Sequence, residues 1–143
     1  MYVHSILKAK GSDVATIAPD ATIETAARRL AERGIGALVV SRDGSRPDGI
    51  ISERDIARGI AAYGPKIGSM PVSELMSVDV VTCRPDDDIA EIMSVMTARR
   101  MRHLPVMDNG RMCGIVSIGD AVKSRLEEIE HEAAAMREYI VNA

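Results

Sequence analysis

Apolar residues recur along this chain with a strand-like and then a helix-like period, and the succession occurs twice. Short extended runs over Val14–Ile17 and Val80–Cys83 lead to a proline, which ends a strand because it cannot donate a ladder hydrogen bond. A helical spacing follows each run. The helical positions are Ile23, Ala26, Ala27 and Leu30 in the first copy, and Ile89, Ile92, Met93 and Met96 in the second.

Polar residues mark where these helices begin. Thr22 precedes the first helix and Asp88 precedes the second. Side-chain oxygens at this position accept hydrogen bonds from the free amides of a first helical turn. Glu91 stands three positions after Asp88, so the sequence predicts a capping box at the second helix start.

Two further strands and a helix are predicted in each half. Asp43-Gly44 and Asn109-Gly110 separate the strands of each pair, and both dipeptides favour tight hairpins because they tolerate positive φ. A helix is expected after Ser52 and after Ser117. The predicted strand pairs are Ala37–Ser41 with Asp48–Ser52, and His103–Met107 with Arg111–Ser117.

The two halves also match residue by residue. Asp79–Asp86 repeats Asp13–Asp20, and Gly114–Ser117 repeats Gly49–Ser52. Two copies of a unit this long indicate a pseudo-symmetric pair and not a solenoid. We therefore predict an α+β fold of two pseudo-twofold-related β-α-β-β-α units with small facing sheets, over residues 6–62 and 72–126, joined by a linker at 63–71.

The carboxyl-terminal segment, residues 127–143, is predicted to extend a helix. No Gly or Pro occurs between Asp120 and Ile140. Apolar residues form a stripe along this predicted helix, which packs either on its own domain or on a second subunit. The length of the helix favours a homodimer. The apolar stripe consists of Val122, Leu126, Ile129, Ala133, Met136 and Ile140.

Composition excludes several classes of function. The chain has no Trp or Phe and a net charge of −3, which disfavours both stacking surfaces for single-stranded nucleic acid and a basic footprint for duplex DNA. Cys83 and Cys113 have no partners at metal-ligand spacing, so they are expected to be reduced thiols and no metal is expected. Without a signal peptide or an apolar run near ~20 residues, the chain is expected to be cytoplasmic and not membrane-bound.

The repeated Ser-x-x-Asp element is the strongest chemical signal. A strand delivers Ser52 or Ser117 to a helix start, and Asp55 or Asp120 follows one turn later. Helix amino termini attract phosphate, and the carboxylate suits two ribose hydroxyls. The same residues also form an ordinary capping box, and from this motif alone both interpretations remain open.

Three elements each occur twice in this chain: Thr-x-x-Pro, the hairpin and Gly-h-h-Ser-x-x-Asp (h, apolar). Together they resemble a tandem pair of cystathionine-β-synthase (CBS) domains, a Bateman module. The resemblance covers about residues 6–125. It implies two sites for adenosyl ligands, with AMP favoured over ATP, ADP or NAD, and it implies dimerisation and regulation of a target protein in trans. The first copy has few basic residues before its hairpin and the second lacks one before Asp120, so each site is expected to need a basic group from a neighbouring strand or subunit.

The resemblance also assigns nucleotide-binding positions. His103 is open to two interpretations, a packed strand residue or a phosphate or ribose contact. The positions implied by the family pattern are Thr16, Ile17, Ile35, Gly36, Ala37, Ser52, Arg54 and Asp55 in the first copy, and Thr82, Cys83, Arg102, His103, Leu104, Pro105, Ser117 and Asp120 in the second.

Two functional hypotheses remain. The first is a non-catalytic sensor that binds an adenine nucleotide between the repeats. The second is a structural adaptor or oligomerisation protein without a small-molecule ligand. No enzyme is expected, because the chain has no nucleophile elbow, phosphate-binding loop or dinucleotide fingerprint.

Overall fold

The structure, a computed structural model, describes residues 1–142. Its elements alternate between helix and strand in the order predicted for two repeats, preceded by an additional helix. The helices are α1 (Val3–Lys10), α2 (Ile23–Arg33), α3 (Glu53–Tyr63), α4 (Ile89–Arg99) and α5 (Ile118–Asn142). The strands are β1 (Thr16–Ile17), β2 (Ala37–Val40), β3 (Gly49–Ser52), β4 (His103–Asp108) and β5 (Arg111–Ser117), and two 3-10 helices cover Gly64–Ser69 and Val72–Glu74.

Two small sheets are formed, one in each repeat. In the first, β2 lies between β1, which is parallel to it, and β3, which is antiparallel. In the second, β4 and β5 form an antiparallel pair. The predicted strand over Val80–Cys83 is wrong in extent: Cys83 alone makes a parallel bridge, to Val106, donating to the Pro105 carbonyl at 3.0 Å.

The two hairpin turns differ. Asn109 and Gly110 both have positive φ, 52° and 77°, as a two-residue type I′ turn requires, so the predicted tight hairpin is confirmed. The prediction of a tight hairpin at Asp43-Gly44 is wrong, because β2 ends at Val40 and β3 begins only at Gly49. The Asp43 carboxylate accepts hydrogen bonds from the amides of Ser45 and Arg46 at 2.8 and 2.9 Å, and these local bonds stabilise a wider loop.

A side chain caps each of the helices α2 and α4, and the cap predicted at Asp88 has a different geometry from the one expected. The Thr22 hydroxyl accepts from the Thr25 amide at 3.2 Å. The Asp88 carboxylate accepts from the Ala90 amide at 2.8 Å, the second amide of α4, so the capping box with Glu91 is not formed. Asp88 alone satisfies the Ala90 amide, and the Glu91 side chain is exposed to solvent.

Each of the two units has its own apolar core. The core of the first unit is built from α2, β2 and β3, and also contains Ile67 and Val72 from the inter-repeat segment. The core of the second unit is built from α4, β4 and β5, and contains Val3 and Ile6 of α1. Each segment that precedes a repeat in sequence therefore packs on the other repeat.

This exchange uses equivalent hydrogen bonds in both units. The Val3 amide donates to the Asp87 carbonyl at 3.0 Å, and the Val72 amide donates to the Ala21 carbonyl at 2.8 Å. The sequence around Met70–Met76 repeats that around Met1–Leu7 at its first, third and later apolar positions. The segment that contains α1, a helix that was not predicted, is thus the counterpart of the segment that begins at Met70.

The last helix of the second unit continues without a break into the carboxyl-terminal segment. Helix α5 is 25 residues long, and buried Ala121 and Ser124 anchor its first turns. Beyond them its apolar residues are exposed, with Met136 at 63% and Tyr139 at 73%. Over the described range, no helix is both long and apolar enough to cross a bilayer.

The exchanged packing generates a prediction about stability. Val3 and Val72 are both 0% exposed, so Val3→Ala and Val72→Ala should each lower the free energy of unfolding by about 2 kcal/mol through lost burial and a residual cavity. Urea denaturation measures the change. Val78→Ala, at a side chain that is 71% exposed, is the matched control and should shift it by less than about 0.5 kcal/mol. A Val3→Ala effect as small as that of the control would mean that α1 does not dock on the second unit.

Candidate functional site

Two clefts lie where the repeats meet, and each is lined by both units. Cleft one has a volume of about 360 Å³ and cleft two of about 630 Å³, within the ~300–1,000 Å³ of small-molecule sites. Cleft one is lined by Gly36, Ile50, Ser52, Glu53, Arg54, Asp55, Arg58, Ser77, Asp79, Val80, Val81, Arg100, Met101, Arg102, His103 and Ile118. Cleft two is lined by Lys10, Asp13, Ala15, Arg33, Gly34, Ile35, Gly36, Ala37, His103, Ile115, Ser117 and Asp120.

The start of α3 forms one side of cleft one. Asp55 accepts hydrogen bonds from both the amide and the hydroxyl of Ser52 through Oδ2, each at 2.9 Å. Ser52 Oγ in turn accepts from the Asp55 amide at 3.2 Å. The pair is thus a capping box, and capping leaves Oδ1 of Asp55 without a hydrogen bond over residues 1–142.

Four arginines converge on cleft one. Arg54 and Arg58 lie one turn apart on α3, and Arg100 and Arg102 come from the segment that joins α4 to β4. Within the part of the chain that the structure describes, none of these guanidinium groups forms an ion pair. Planar guanidinium groups suit phosphate, and the cleft combines them with a helix amino terminus.

Arg100 has an unusual backbone. It ends α4 in the left-handed conformation with φ of 54°, where the equivalent residue of the first unit is Gly34 with φ of 62°. The left-handed region costs a side-chain-bearing residue about 1–2 kcal/mol relative to the right-handed one. A glycine would be the favourable residue there, so this arginine is kept at a cost to stability.

Cleft two contains the second Ser-x-x-Asp element, and a cation already occupies it. The Ser117 amide donates to Asp120 Oδ2 at 2.9 Å, and the Asp120 amide donates to Ser117 Oγ at 3.1 Å. Lys10 Nζ donates to the same Oδ2 at 2.7 Å. Burial opposes ionisation of Asp120, but the hydrogen bonds from Lys10 and Ser117 outweigh it and hold the pKa of this carboxyl below its ordinary value.

His103 and Gly36 separate the two clefts and line both. A Cβ on Gly36 would lie 3.5 Å from His103 Cε1, so the imidazole lies directly beside the Gly36 backbone. Burial lowers the pKa of His103, the charges of Lys10 and Arg102 lower it further, and Asp120 and Glu53 partly oppose them. The neutral imidazole is therefore favoured in the ligand-free protein.

The predicted positions divide between the clefts and the cores. Ser52, Arg54, Asp55 and Arg102 line cleft one; Ile35, Ala37, Ser117 and Asp120 line cleft two; Gly36 and His103 line both. The remaining predicted positions, Thr16, Ile17, Thr82, Cys83, Leu104 and Pro105, line neither cleft.

Three of these six positions have side chains buried in the cores. Ile17 is 2% exposed, Cys83 is 3% exposed and Leu104 is fully buried. Burial raises the pKa of the Cys83 thiol to about 12, which leaves it protonated and unreactive. The earlier residues Ala15 and Val81 line the clefts in their place.

Sequence reasoning missed several lining residues and the way the sites are assembled. The Ser52–Asp55 element of the first repeat faces Arg100–His103 of the second, so basic groups do come from a neighbouring segment, within the same chain. Arg58 could have been found from its helical spacing to Arg54. Lys10 is the last residue of α1, and only the docking of α1 on the second unit brings it to Asp120.

Comparison with known proteins agrees with this architecture. The CBS domain family profile matches residues 9–62 and 72–127. A mitochondrial CBS domain-containing protein of Arabidopsis thaliana, CBSX3, is 32% identical over 96% of this chain and 71% of its own. The crystal structure of the CBS-domain containing protein ATU1752 from Agrobacterium tumefaciens is 42% identical, with a TM-score of 0.84 over 87% of this chain and 99% of that one.

A further solved structure contains adenosyl compounds. It is the CBS domain pair of protein MJ0100 in complex with 5′-methylthioadenosine and S-adenosyl-L-methionine, and it is 26% identical, with a TM-score of 0.76 over 91% of this chain and 98% of that chain. With both repeats matched by the family profile and most of the chain superposed on solved relatives, the chain belongs to the CBS domain family and contains two CBS domains.

Proposed function

We propose that this protein is a non-catalytic regulatory module that senses an adenosyl nucleotide bound in cleft one. The observation that carries the proposal is the set of four arginines without ion pairs, gathered from both units around the start of α3. Four guanidinium groups against the three carboxylates of Glu53, Asp55 and Asp79 leave the lining of this concave site with an excess of positive charge, which favours an anionic ligand. The volume of the cleft, about 360 Å³, limits that ligand to a small molecule.

The nucleoside part of the ligand has matching groups in the same cleft. Oδ1 of Asp55 is available to accept from a ribose hydroxyl, while Oδ2 remains in the cap. Aliphatic side chains of Ile50, Val80 and Val81 line the cleft and suit the faces of a purine. The adenosyl ligands of the MJ0100 domain pair support an adenosyl compound here, and the arginines favour one that carries phosphate, such as AMP, ADP, ATP or NAD.

A ligand in cleft one would join the two units. Ser52, Arg54 and Asp55 belong to the first unit, and Arg100 and Arg102 belong to the second. A ligand that contacts both favours the relative arrangement in which all its contacts form, and it shifts the population toward that arrangement. A target protein that reads this arrangement would be regulated in trans.

Isothermal titration calorimetry with AMP and ATP tests this proposal. We expect saturable binding that weakens about tenfold in Arg102→Gln, because one charge-assisted hydrogen bond contributes about 1.5 kcal/mol or more. Adenosine binding should change little. Arg33→Gln, which removes a guanidinium group from cleft two, is the control and should bind ATP as the wild type does. Absence of binding at millimolar nucleotide, or equal loss in both variants, would contradict the proposal.

The left-handed residue gives a second prediction, in which affinity and stability change in opposite directions. Arg100→Gly should raise the free energy of unfolding by about 1 kcal/mol, because glycine adopts this conformation without steric cost. The same variant should bind ATP several-fold more weakly. Thermal denaturation and calorimetry on one preparation measure both. Arg99→Ala, at the last residue of α4, is the control for affinity. A variant that is stabilised yet binds ATP normally would remove Arg100 from the site.

We propose in addition that two chains associate through the exposed part of α5. Leu126, Ile129 and Met136 lie at helical spacing and are 56%, 46% and 63% exposed. Large apolar side chains in such a stripe are typical of a helix that packs on a partner helix. This association is compatible with nucleotide sensing, and by itself it would serve the structural adaptor.

Light scattering coupled to size exclusion tests the association. We expect a dimer for the wild-type protein and a monomer for the double variant Ile129→Glu, Met136→Glu, since the new charges would have to be buried at the interface. Arg137→Glu places a negative charge on the same helix, beside the stripe, and should remain a dimer. A wild-type monomer at micromolar concentration would refute the association through α5.

A further inference from the structure

We propose that His103 takes up a proton when a phosphorylated ligand binds in cleft one, so that the affinity of this protein for a nucleotide rises as the pH falls. This inference rests on the proposed function and makes the module responsive to pH as well as to its ligand. It gives the imidazole that separates the two clefts a role that depends on its charge.

The imidazole of His103 lies beside the helix start at which a phosphate would bind. The Glu53 amide, the first of α3, donates to the Gly36 carbonyl at 3.0 Å. A Cβ on Gly36 would lie 3.6 Å from His103 Nε2 and 4.0 Å from Glu53 Oε2, so the imidazole and the first residue of α3 flank the same point of the backbone. A phosphate at the amino terminus of α3 would therefore lie close to His103.

The ring nitrogens of His103 are available to such a ligand. The side chain is half-buried, and over residues 1–142 neither nitrogen forms a hydrogen bond or is sealed from solvent. Burial, with the charges of Lys10 and Arg102, holds the pKa of this imidazole below its ordinary value. The ligand-free protein thus presents a neutral imidazole with a nitrogen that can accept a proton.

The charged groups around His103 come from every element that packs against it. Glu53 belongs to α3, Lys10 to α1 and Asp120 to α5, and Arg102 precedes His103 in the chain. Lys10 and Asp120 form an ion pair with each other and act on the pKa of His103 in opposite directions. The other charged residues that line the two clefts are Asp13, Arg33, Arg54, Asp55, Arg58, Asp79 and Arg100.

Binding of a nucleotide reverses the charge balance of cleft one. Four guanidinium groups and three carboxylates line it, and a phosphate monoester adds about 1.5 to 2 negative charges near pH 7. With a neutral His103 the complex would hold an excess of negative charge. A proton offsets this excess, and His103 is the one imidazole in the lining, the side chain whose charge changes most readily between about pH 5 and 8.

The first unit has no equivalent group. His103 pairs with Ser117 in the second sheet, and Ala37 pairs with Ser52 at the same place in the first. Ala37 is buried and has no titratable side chain. A single imidazole therefore stands at the boundary between the clefts, and we expect uptake of at most one proton per chain.

The direction of the pH dependence follows from the charge of the ligand. A phosphate near the imidazole favours the imidazolium, so the pKa of His103 is higher in the complex than in the free protein. The affinity is greatest below the pKa of the free protein. It falls as the pH rises through the interval between the two pKa values, and it is constant above that interval.

NMR titration of the histidine Cε1 protons in the wild-type protein tests the inference. We expect AMP to raise the pKa of His103 and to leave the titration of His4 and His131, exposed residues of α1 and α5, unchanged. Adenosine, which lacks the phosphate, should not raise it. An unchanged pKa of His103 with AMP bound, or an equal rise with adenosine, would overturn the inference and leave the proposed function standing.

Calorimetry at several pH values measures the consequence for affinity. The ratio of the AMP association constants of the wild type and His103→Gln at the same pH cancels the ionisation of AMP itself. We expect this ratio to fall about tenfold between about pH 5.5 and pH 8.5, because the imidazolium contributes a charge-assisted hydrogen bond that the neutral side chain does not. His131→Gln is the control and should bind AMP as the wild type does at each pH.

Two outcomes of the calorimetry separate the inference from the proposed function. A ratio that stays constant over the pH range, with AMP bound by both proteins, would overturn the inference alone. Absence of AMP binding by the wild type at every pH would reject both. If His103→Gln is unstable, the NMR titration still decides, because it uses the wild-type protein.

Discussion

The reciprocal docking of the two pre-repeat segments is the interaction on which the rest of the molecule depends. Val3 is fully buried in the second unit and Val72 in the first, so the chain cannot complete either core without crossing to the other unit. Burial of these aliphatic side chains is non-directional, but the hydrogen bonds of Val3 to Asp87 and of Val72 to Ala21 fix the register of each segment. The clefts form between units that are held in this way.

Pseudo-symmetry produces two similar clefts, and a few side chains make them different. Both contain a capped helix start with the same serine and aspartate geometry. The end of the preceding helix is Arg100 beside cleft one and Gly34 beside cleft two. The segment over β5 provides Lys10, whereas the segment over β3 ends at Met76. One cleft thus has free guanidinium groups, and the other contains an internal ion pair.

The helix caps and the ligand hypothesis are compatible. A capping box uses one carboxylate oxygen of Asp55 and leaves the other available, so the same residue can stabilise α3 and contact a ribose. What favours a binding function is found outside the cap. Over residues 1–142, the four arginines of cleft one lack ion pairs, and Arg100 adopts a left-handed backbone that glycine would adopt at lower cost. A scaffold selected for stability alone has no need of either feature.

Local signals were enough to predict the repeat, the order of strands and helices, the cap at Asp88 and the turn at Asn109-Gly110, because periodicity, capping and turn chemistry act over a few neighbouring residues. They did not determine α1, the wide loop after Ser41 or the loss of the strand at Val80–Cys83, which depend on packing against distant segments. The side chains of Ile17 and Cys83 lie in the cores because packing within each unit buries them. Only the tertiary structure decided that Ser52 faces Arg102 and that Lys10 reaches Asp120, since residues so far apart in sequence meet only when both cores have formed.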